Sequence, residues 1–261
     1  LGIRRVPVPV AMNREENCAI YEFVRGTTPP QIDQADIRQA VAFLIDLNRH
    51  RGISAAREIQ HASDAFFSLK ETIQSIRKRV QALEATRSEL PVYEEMRDFL
   101  LEFKSRFADH SENARESYRQ LGILPEDTLP LKDRILSPSD FGFHNAIKAT
   151  NNHWVFLDFE YFGWDDPAKT ISDFLLHPAM QLDSSQKEFF SETLVEQFQV
   201  DPKRLAALYP LYGLKWCMIF LNEFVRSEKA RRDFSLGSTD NPTPVCQEQL
   251  AKAKKLLHLL R

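Results

Sequence analysis

Three oxygen-bearing side chains between positions 140 and 158 have the chemistry of a phosphate-handling site. Asp140 stands in Ser137-Pro138-Ser139-Asp140-Phe141-Gly142-Phe143-His144-Asn145, and Asp158 stands in Leu157-Asp158-Phe159-Glu160. Phosphoryl transfer asks little covalent chemistry of a protein. It asks for positioned reactants, a carboxylate facing the attacking hydroxyl, and divalent cations on the phosphates. Mg²⁺ is a hard ion that takes one or two carboxylates besides phosphate and water. Asp140 therefore reads as the group that orients or deprotonates a hydroxyl, and Asn145 and Asp158 as the groups that hold Mg²⁺. Singly, each motif is commonplace: a surface Asp/Asn pair, a Ser-Pro turn, a strand end with a solvated carboxylate. Their order and spacing give them weight.

The apolar run Trp154-Val155-Phe156-Leu157 has the length of a buried strand. With Ala146-Ile147-Lys148 and a turn at Asn151-Asn152 it predicts a hairpin. That hairpin returns Asp158 to the side of the loop carrying Asp140 and Asn145. Arg134-Ile135-Leu136 reads as a short strand entering the loop, and Tyr161 to Pro167 as a loop leaving the site. Asp173 opens or sits in the next helix.

The remaining chain is mostly helical in pattern. Asp33 to Arg49 is amphipathic through Ile37, Val41, Leu44 and Ile45, with Asp33 and Asp36 in the first turn and Gly52 beyond the end. His50 reads as a surface residue at the helix end. A long helix is predicted from Ala62 to Leu83, capped by Ser63 or Asp64, and a second from Pro91 to about Leu121. The basic run Arg77-Lys78-Arg79 of the first helix reads as a solvated face, with a nucleic-acid patch as the alternative. Helices follow over Ser184 to Phe198, Pro202 to Arg226 and Gln247 to Leu260, with a polar loop at Ser235 to Pro244. Tyr209, Tyr212, Trp216 and Phe220 form an aromatic stripe of the kind that usually packs in a core. Leu1 to Gly26 is extended, with an apolar strand at Cys18 to Val24 and a Pro-bounded linker at Pro29-Pro30.

Composition limits the classes of function. A formal net charge of -3, with 43% hydrophobic and 27% charged residues, is that of a globular chain with no general attraction to nucleic acid or anionic membrane. No apolar run approaches the length of a membrane span, and Leu1-Gly2-Ile3-Arg4-Arg5 does not open a signal peptide. Cys18, Cys217 and Cys246 have neither zinc spacing nor a disulfide framework, so the expected setting is cytoplasmic.

The central segment resembles the catalytic segment of the aminoglycoside phosphotransferase and choline kinase family, which has a protein-kinase-like fold. That family shows His-x-Asp-x-x-x-x-Asn followed by Ile/Leu-Asp-Phe/Trp-Glu-Tyr. Asp140, Asn145 and Asp158 match it, and Leu157 to Tyr161, Gly163 and Asp166-Pro167-Ala168 extend the match. Pro138 stands where the family has His. The resemblance implies an α+β fold, mostly a helical C-lobe with a remnant of the N-lobe sheet and hinge. Residues 1–30 would be that remnant, and 31–261 the C-lobe with a helical insert at about 54–121. It implies ATP as phosphate donor, with GTP open, adenine contacts at the backbone of Glu22, Phe23 and Val24, and Asp173 bracing the catalytic loop. Glu160, Asp165, Trp216 and Glu223 become candidates for the acceptor pocket, with Trp216 suited to cation–π contact. The acceptor is a hydroxyl on a small polar molecule: a sugar, an aminoglycoside or an amino alcohol. A phosphate-covering loop and strand lysine cannot be placed, since Lys70 is the first lysine, so most of the N-lobe is expected to lie outside this chain. The competing expectation is a degenerate kinase-like binding or interaction module. An all-helical scaffold ranks last because it leaves the carboxylate-tipped strand at Asp158 unexplained.

Overall fold

The computed structural model describes residues 3, 5–16, 18–225 and 243–260. The chain divides into two compact units, 1–65 with 129–201, and 66–128 with 202–261.

The first unit carries the strands. Strand β1 (Pro9–Asn13) pairs antiparallel with β2 (Cys18–Tyr21), and β3 (Gly26–Thr27) with β5 (Ala146–Ala149), which pairs in turn with β6 (Trp154–Phe156). Strand β4 (Ile135–Ser137) pairs antiparallel with β7 (Gly163–Asp165). The predicted β5–β6 hairpin is present, with Ala146 opposite Phe156 and Lys148 opposite Trp154. Strand β7 corrects the reading of 161–167 as a loop. Its short Gly-Trp-Asp sequence has no alternation to reveal it, and its pairing with β4 is a tertiary contact. The apolar strand at Cys18 to Val24 is shorter than expected, and every residue of β1 and β2 is exposed. Gly26 lies against the carbonyl of Lys148, where a Cβ would clash.

Helix α1 (Gln34–Asn48) begins as its sequence dictates. Asp33 caps it by accepting from the Asp36 backbone N–H, and the Asp36 carboxylate returns the bond to Asp33 N–H. Ile37, Ala40, Val41, Phe43 and Leu44 line its buried face. Asp36 is buried as well, because it grips the hairpin: its Oδ1 accepts from Lys148 Nζ and Trp154 Nε1, both at 2.7 Å. Gln39 adds bonds to Trp154 N–H and to the Asn152 carbonyl. Asn48, at the other end of α1, acts as a piece of sheet: its Oδ1 accepts from Leu136 N–H at 2.8 Å and its Nδ2 donates to the Leu136 carbonyl at 3.0 Å. Strand β4 is thus satisfied on both edges, by β7 and by a side chain. Helices α4 (Pro167–Leu176) and α5 (Ser184–Phe198) complete the unit, α5 opened by a capping box of Asp183 and Gln186.

The second unit is helical. Helix α2 (Leu69–Glu84) starts six residues after the predicted cap region, because Ser68 with Glu71 forms the capping box while Ala62 and Ser63 donate to the Trp164 and Tyr161 carbonyls. Its stripe of Leu69, Ile73, Ile76, Val80 and Leu83 is buried, each such side chain stabilising by roughly 1.5–3 kcal/mol. Helix α3 (Pro91–Gln120) opens on proline and packs beside α2, α6 (Pro202–Phe220) and α7 (Thr243–Leu259). Tyr212 is core, as its stripe suggested. The predicted helix to Arg226 turns 3₁₀ at Leu221–Phe224; of the polar loop expected at 235–244, residues 235–242 lie outside the described residues, and Thr243 and Pro244 already belong to α7. No described helix is long and apolar enough to cross a membrane.

Candidate active site

The loop carrying Asp140 and Asn145 hangs between β4 and β5. Phe141 and Phe143 point inward, where Phe141 stacks on Phe174 at 5.5 Å and lies 4.9 Å from Phe156, and Phe143 meets Trp154 at 4.6 Å. Burying these rings turns Asp140, His144 and Asn145 outward, so the alternation of the segment sorts packing from chemistry. Ser139 enters the loop at φ 68, in the left-handed region that a non-glycine residue occupies at a cost of about 1–3 kcal/mol. Polar contacts hold it there: its N–H donates to Ser137 Oγ at 3.1 Å, and its hydroxyl donates to the Ser63 carbonyl at 2.9 Å.

Asp140 keeps 42% side-chain exposure, enough to meet a substrate. Its Oδ1 lies 3.1 Å from His144 Nε2, and its Oδ2 accepts from Asn145 Nδ2 at 3.1 Å. Burial alone would raise its pKa, but the His144 bond, the positive charge that His144 and His177 carry in acid and the Asn145 bond outweigh it, so the carboxyl is held below 3.8. Asp140 is therefore a carboxylate at neutral pH, better suited to orienting a hydroxyl than to removing its proton outright. His177, beside it, is pushed down to about 4 by burial and by His144, and stays neutral.

Asn145 joins the other two residues. Its Nδ2 also donates to the Asp140 carbonyl at 3.0 Å, and its own carbonyl accepts from Leu157 N–H at 2.8 Å. Asp140, Asn145 and Leu157 are thus consecutive partners, and Asp158 is the next residue along. Asp158 takes φ 57, which turns the chain sharply after β6. Its exposed carboxylate makes no ion pair among the described residues. The bonds from Asn145 Nδ2 leave Oδ1 of that amide for a cation. An amide oxygen and a free carboxylate are hard donors, a set that fits Mg²⁺.

Beside Asp158 opens a cavity of ≈ 920 Å³, lined also by Glu22, Phe23, Val24, Phe159 and Glu160. The three predicted hinge residues and two predicted acidic residues therefore border one space with apolar and aromatic walls. The Glu22 N–H is taken by the Val8 carbonyl at 2.9 Å.

Asp165 is a correction. It was expected among acceptor-pocket residues, but its side chain is fully buried and bonded to Lys169 Nζ at 2.8 Å. Burial pushes it up to about 6 against the pull of Lys169. Asp173, expected to brace the loop, pairs with the same ammonium at 3.2 Å. Direct contact with the loop comes from residues that sequence reasoning missed: Lys169 Nζ reaches Ser139 Oγ at 3.4 Å, and Thr170 Oγ1 donates to Ser137 Oγ at 3.1 Å. Asp166 caps α4 by accepting from Ala168 N–H at 2.8 Å, with Pro167 at the first helical position, which explains the Asp-Pro-Ala motif locally. Trp216 and Glu223 belong to the second unit; both are half-buried, and Trp216 lies 6.0 Å from the Phe220 ring.

Solved structures share the fold of this chain. A spectinomycin phosphotransferase, crystallised with ADP and spectinomycin, aligns over 95% of this chain and 79% of its own at a TM-score of 0.59 and 11% identity. A choline/ethanolamine kinase family protein from Mesorhizobium loti aligns over 98% and 75% at 0.54 and 16%, and a choline kinase from Streptococcus pneumoniae over 98% and 75% at 0.53 and 15%. The chain has a kinase-like phosphotransferase fold. It is the α+β arrangement expected from the central segment, with small sheets and a largely helical lobe. No protein-family model matches the sequence, and no curated protein matches it. The kinase-like fold therefore persists here at identities where only short segments remain recognisable.

Proposed function

We propose that the chain belongs to the aminoglycoside phosphotransferase and choline kinase family and moves the γ-phosphate of ATP, or GTP, to a hydroxyl of a small polar molecule. The observation that carries this reading is the linkage of Asp140, Asn145 and Leu157-Asp158 by consecutive hydrogen bonds beside a cavity that also touches Glu22, Phe23 and Val24. Asp140 accepts a hydrogen bond from the acceptor hydroxyl and aims its oxygen at phosphorus. Asn145 Oδ1 and the Asp158 carboxylate would hold Mg²⁺, which would neutralise charge on the phosphates. The backbone at Glu22 to Val24 meets the base, and the apolar walls of the cavity exclude water around it. Of the acidic candidates for a cationic acceptor, Glu160 borders that cavity. Trp216 and Glu223 are offered as acceptor contacts on the family resemblance alone. Residues 1–30 would end the small lobe, and 31–261, with the insert at about 54–121, would form the large one.

The test is phosphate transfer from ATP or GTP with Mg²⁺ across sugars, aminoglycosides and amino alcohols. Asp140→Ala should lower kcat by about 10²–10⁴. A protein that binds nucleotide yet phosphorylates none of these classes would not be this enzyme. The second reading, a kinase-like binding module, is favoured by Pro138 in place of the family's His. Calorimetry separates the two: a module that has lost catalysis and nucleotide together gives no heat with ATP and Mg²⁺.

A further inference from the structure

We propose that the stacked imidazoles of His144 and His177 clamp the Asp140 carboxylate in the orientation that receives the acceptor hydroxyl. This positioning role rests on the phosphotransferase reading of the site. The two rings lie 3.8 Å apart at 6°. His144 Nε2 lies 3.1 Å from Asp140 Oδ1, within hydrogen-bond range, whereas His177 Nε2 lies 4.0 Å away, beyond it, so His177 acts by holding the His144 ring through the stack.

One ligand atom from each of the three residues lies within 4.8 Å of the others, a spacing that also invites a metal ion. Ring geometry argues instead for a single hydrogen bond, from His144, with His177 stacked behind it. An imidazole nitrogen binds an ion along its lone pair, in the plane of the ring. Two parallel planes 3.8 Å apart share no point, so one ion cannot satisfy both rings. The tautomers agree. His177 Nδ1 accepts from Ala179 N–H at 3.2 Å, which leaves the ring proton of neutral His177 on Nε2. His144 Nδ1 is buried with no hydrogen-bond partner, so the His144 proton belongs on Nε2, where Asp140 accepts it.

Each ring is set by its own backbone. His177 closes α4, its N–H bonded to the Asp173 carbonyl at 2.9 Å. His144 fits because position 142 is glycine: a Cβ there would stand 2.6 Å from His144 Nδ1 and 2.9 Å from Met180 Sδ. Phe143 N–H donates to that same sulfur at 3.4 Å, tying the loop to the turn that carries His177. With Asn145 on Oδ2, the clamp fixes both carboxylate oxygens and leaves lone pairs for a hydroxyl. Pro138 has no donor to offer this loop, and the paired rings supply one from the other side.

Two measurements keep the clamp and the enzymatic reading apart. Long-range ¹H–¹⁵N imidazole spectra of the nucleotide-free protein need no turnover. They should show His144 as the Nε2–H tautomer and shift its signals on Asp140→Ala. An Nδ1–H tautomer, or signals indifferent to Asp140→Ala, overturns the clamp. In kinetics, His144→Ala should lower kcat about 10- to 100-fold, the weight of a hydrogen bond to a charged group, with nucleotide KM unchanged within about twofold. His144→Gln, which keeps an N–H donor, should recover most of the loss. His177→Phe, which keeps the stack, should cost less than His177→Ala. Full kcat in His144→Ala, where Asp140→Ala abolishes turnover, would also overturn it. If the parent phosphorylates nothing, the enzymatic reading fails and the spectra alone judge the clamp.

Discussion

Lys169→Met removes the ammonium that Asp165 and Asp173 share beneath the loop carrying Asp140. Lys169 and Asp165 are almost wholly buried, and Lys169 lies 2.8 Å from one carboxylate and 3.2 Å from the other. Burial would lower the Lys169 pKa, but the two carboxylates outweigh it and hold it raised, so it is charged throughout the working range. Methionine fills the space and leaves two carboxylates facing each other without a cation. Breaking a buried pair from one side costs about 3–5 kcal/mol. The charge origin of that loss can be read from its pH dependence. Asp165 already sits at about 6 in the folded protein, above its ordinary 3.8, so the folded state takes up the proton first as pH falls. The stability tied to this group therefore rises as pH drops from about 6 toward 4. Without Lys169 the folded value moves higher still, so the variant recovers more than the parent. Urea melts at pH 8 and pH 5 should show a deficit smaller at pH 5 by at least about 1.4 kcal/mol, one pKa unit of differential binding. Equal deficits at both pH values would refute the electrostatic account and leave a packing defect. The double variant Lys169→Met/Asp165→Asn should be more stable than Lys169→Met alone at pH 8. Its kcat should nonetheless stay low, because Ser139 has lost the contact at 3.4 Å.

Gly142→Ala should fold, since its backbone is extended, but push His144 off Asp140, lowering kcat with little change in the melting transition. Asp36→Ala should destabilise the protein by about 3 kcal/mol at pH 7, because Lys148 and Trp154 lose their shared acceptor. Burial raises the Asp36 pKa but the bonds from Lys148 and Trp154 lower it further, below 3.8; its contribution is full above that value and fades as the pH falls through the lower folded one. The gap between parent and variant should therefore close in acid melts. Addition of ATP and Mg²⁺ should slow hydrogen exchange at Phe23 and Val24; unchanged exchange there with saturating nucleotide would remove the hinge from the site. Asp158→Ala and Asn145→Ala should each shift the Mg²⁺ concentration for half-maximal activity upward, whereas Glu160→Ala should leave it in place.

The sequence by itself determined the elements whose causes are local. The start of α1 beside Asp33 and Asp36, the β5–β6 hairpin, the proline start of α3 and the buried stripe of α2 follow from residues a few places apart, whereas the start of α4 at Pro167 falls in a segment that reads as loop. The hydrogen-bonded run from Asp140 through Asn145 to Leu157, next to Asp158, follows for the same reason, because one loop and one hairpin position it. Only the tertiary structure decided which polar side chains serve the loop from a distance. Asn48 completes the edge of β4 from 88 residues away, and Lys169 reaches Ser139 across 30. Asp165, an exposed candidate on paper, became a buried partner of Lys169 once β7 paired with β4. His177 meets His144 only because the end of α4 folds back onto the loop. A carboxylate's neighbours set whether it meets substrate or sits in the core, and those neighbours come from distant parts of the chain whose approach no local pattern records.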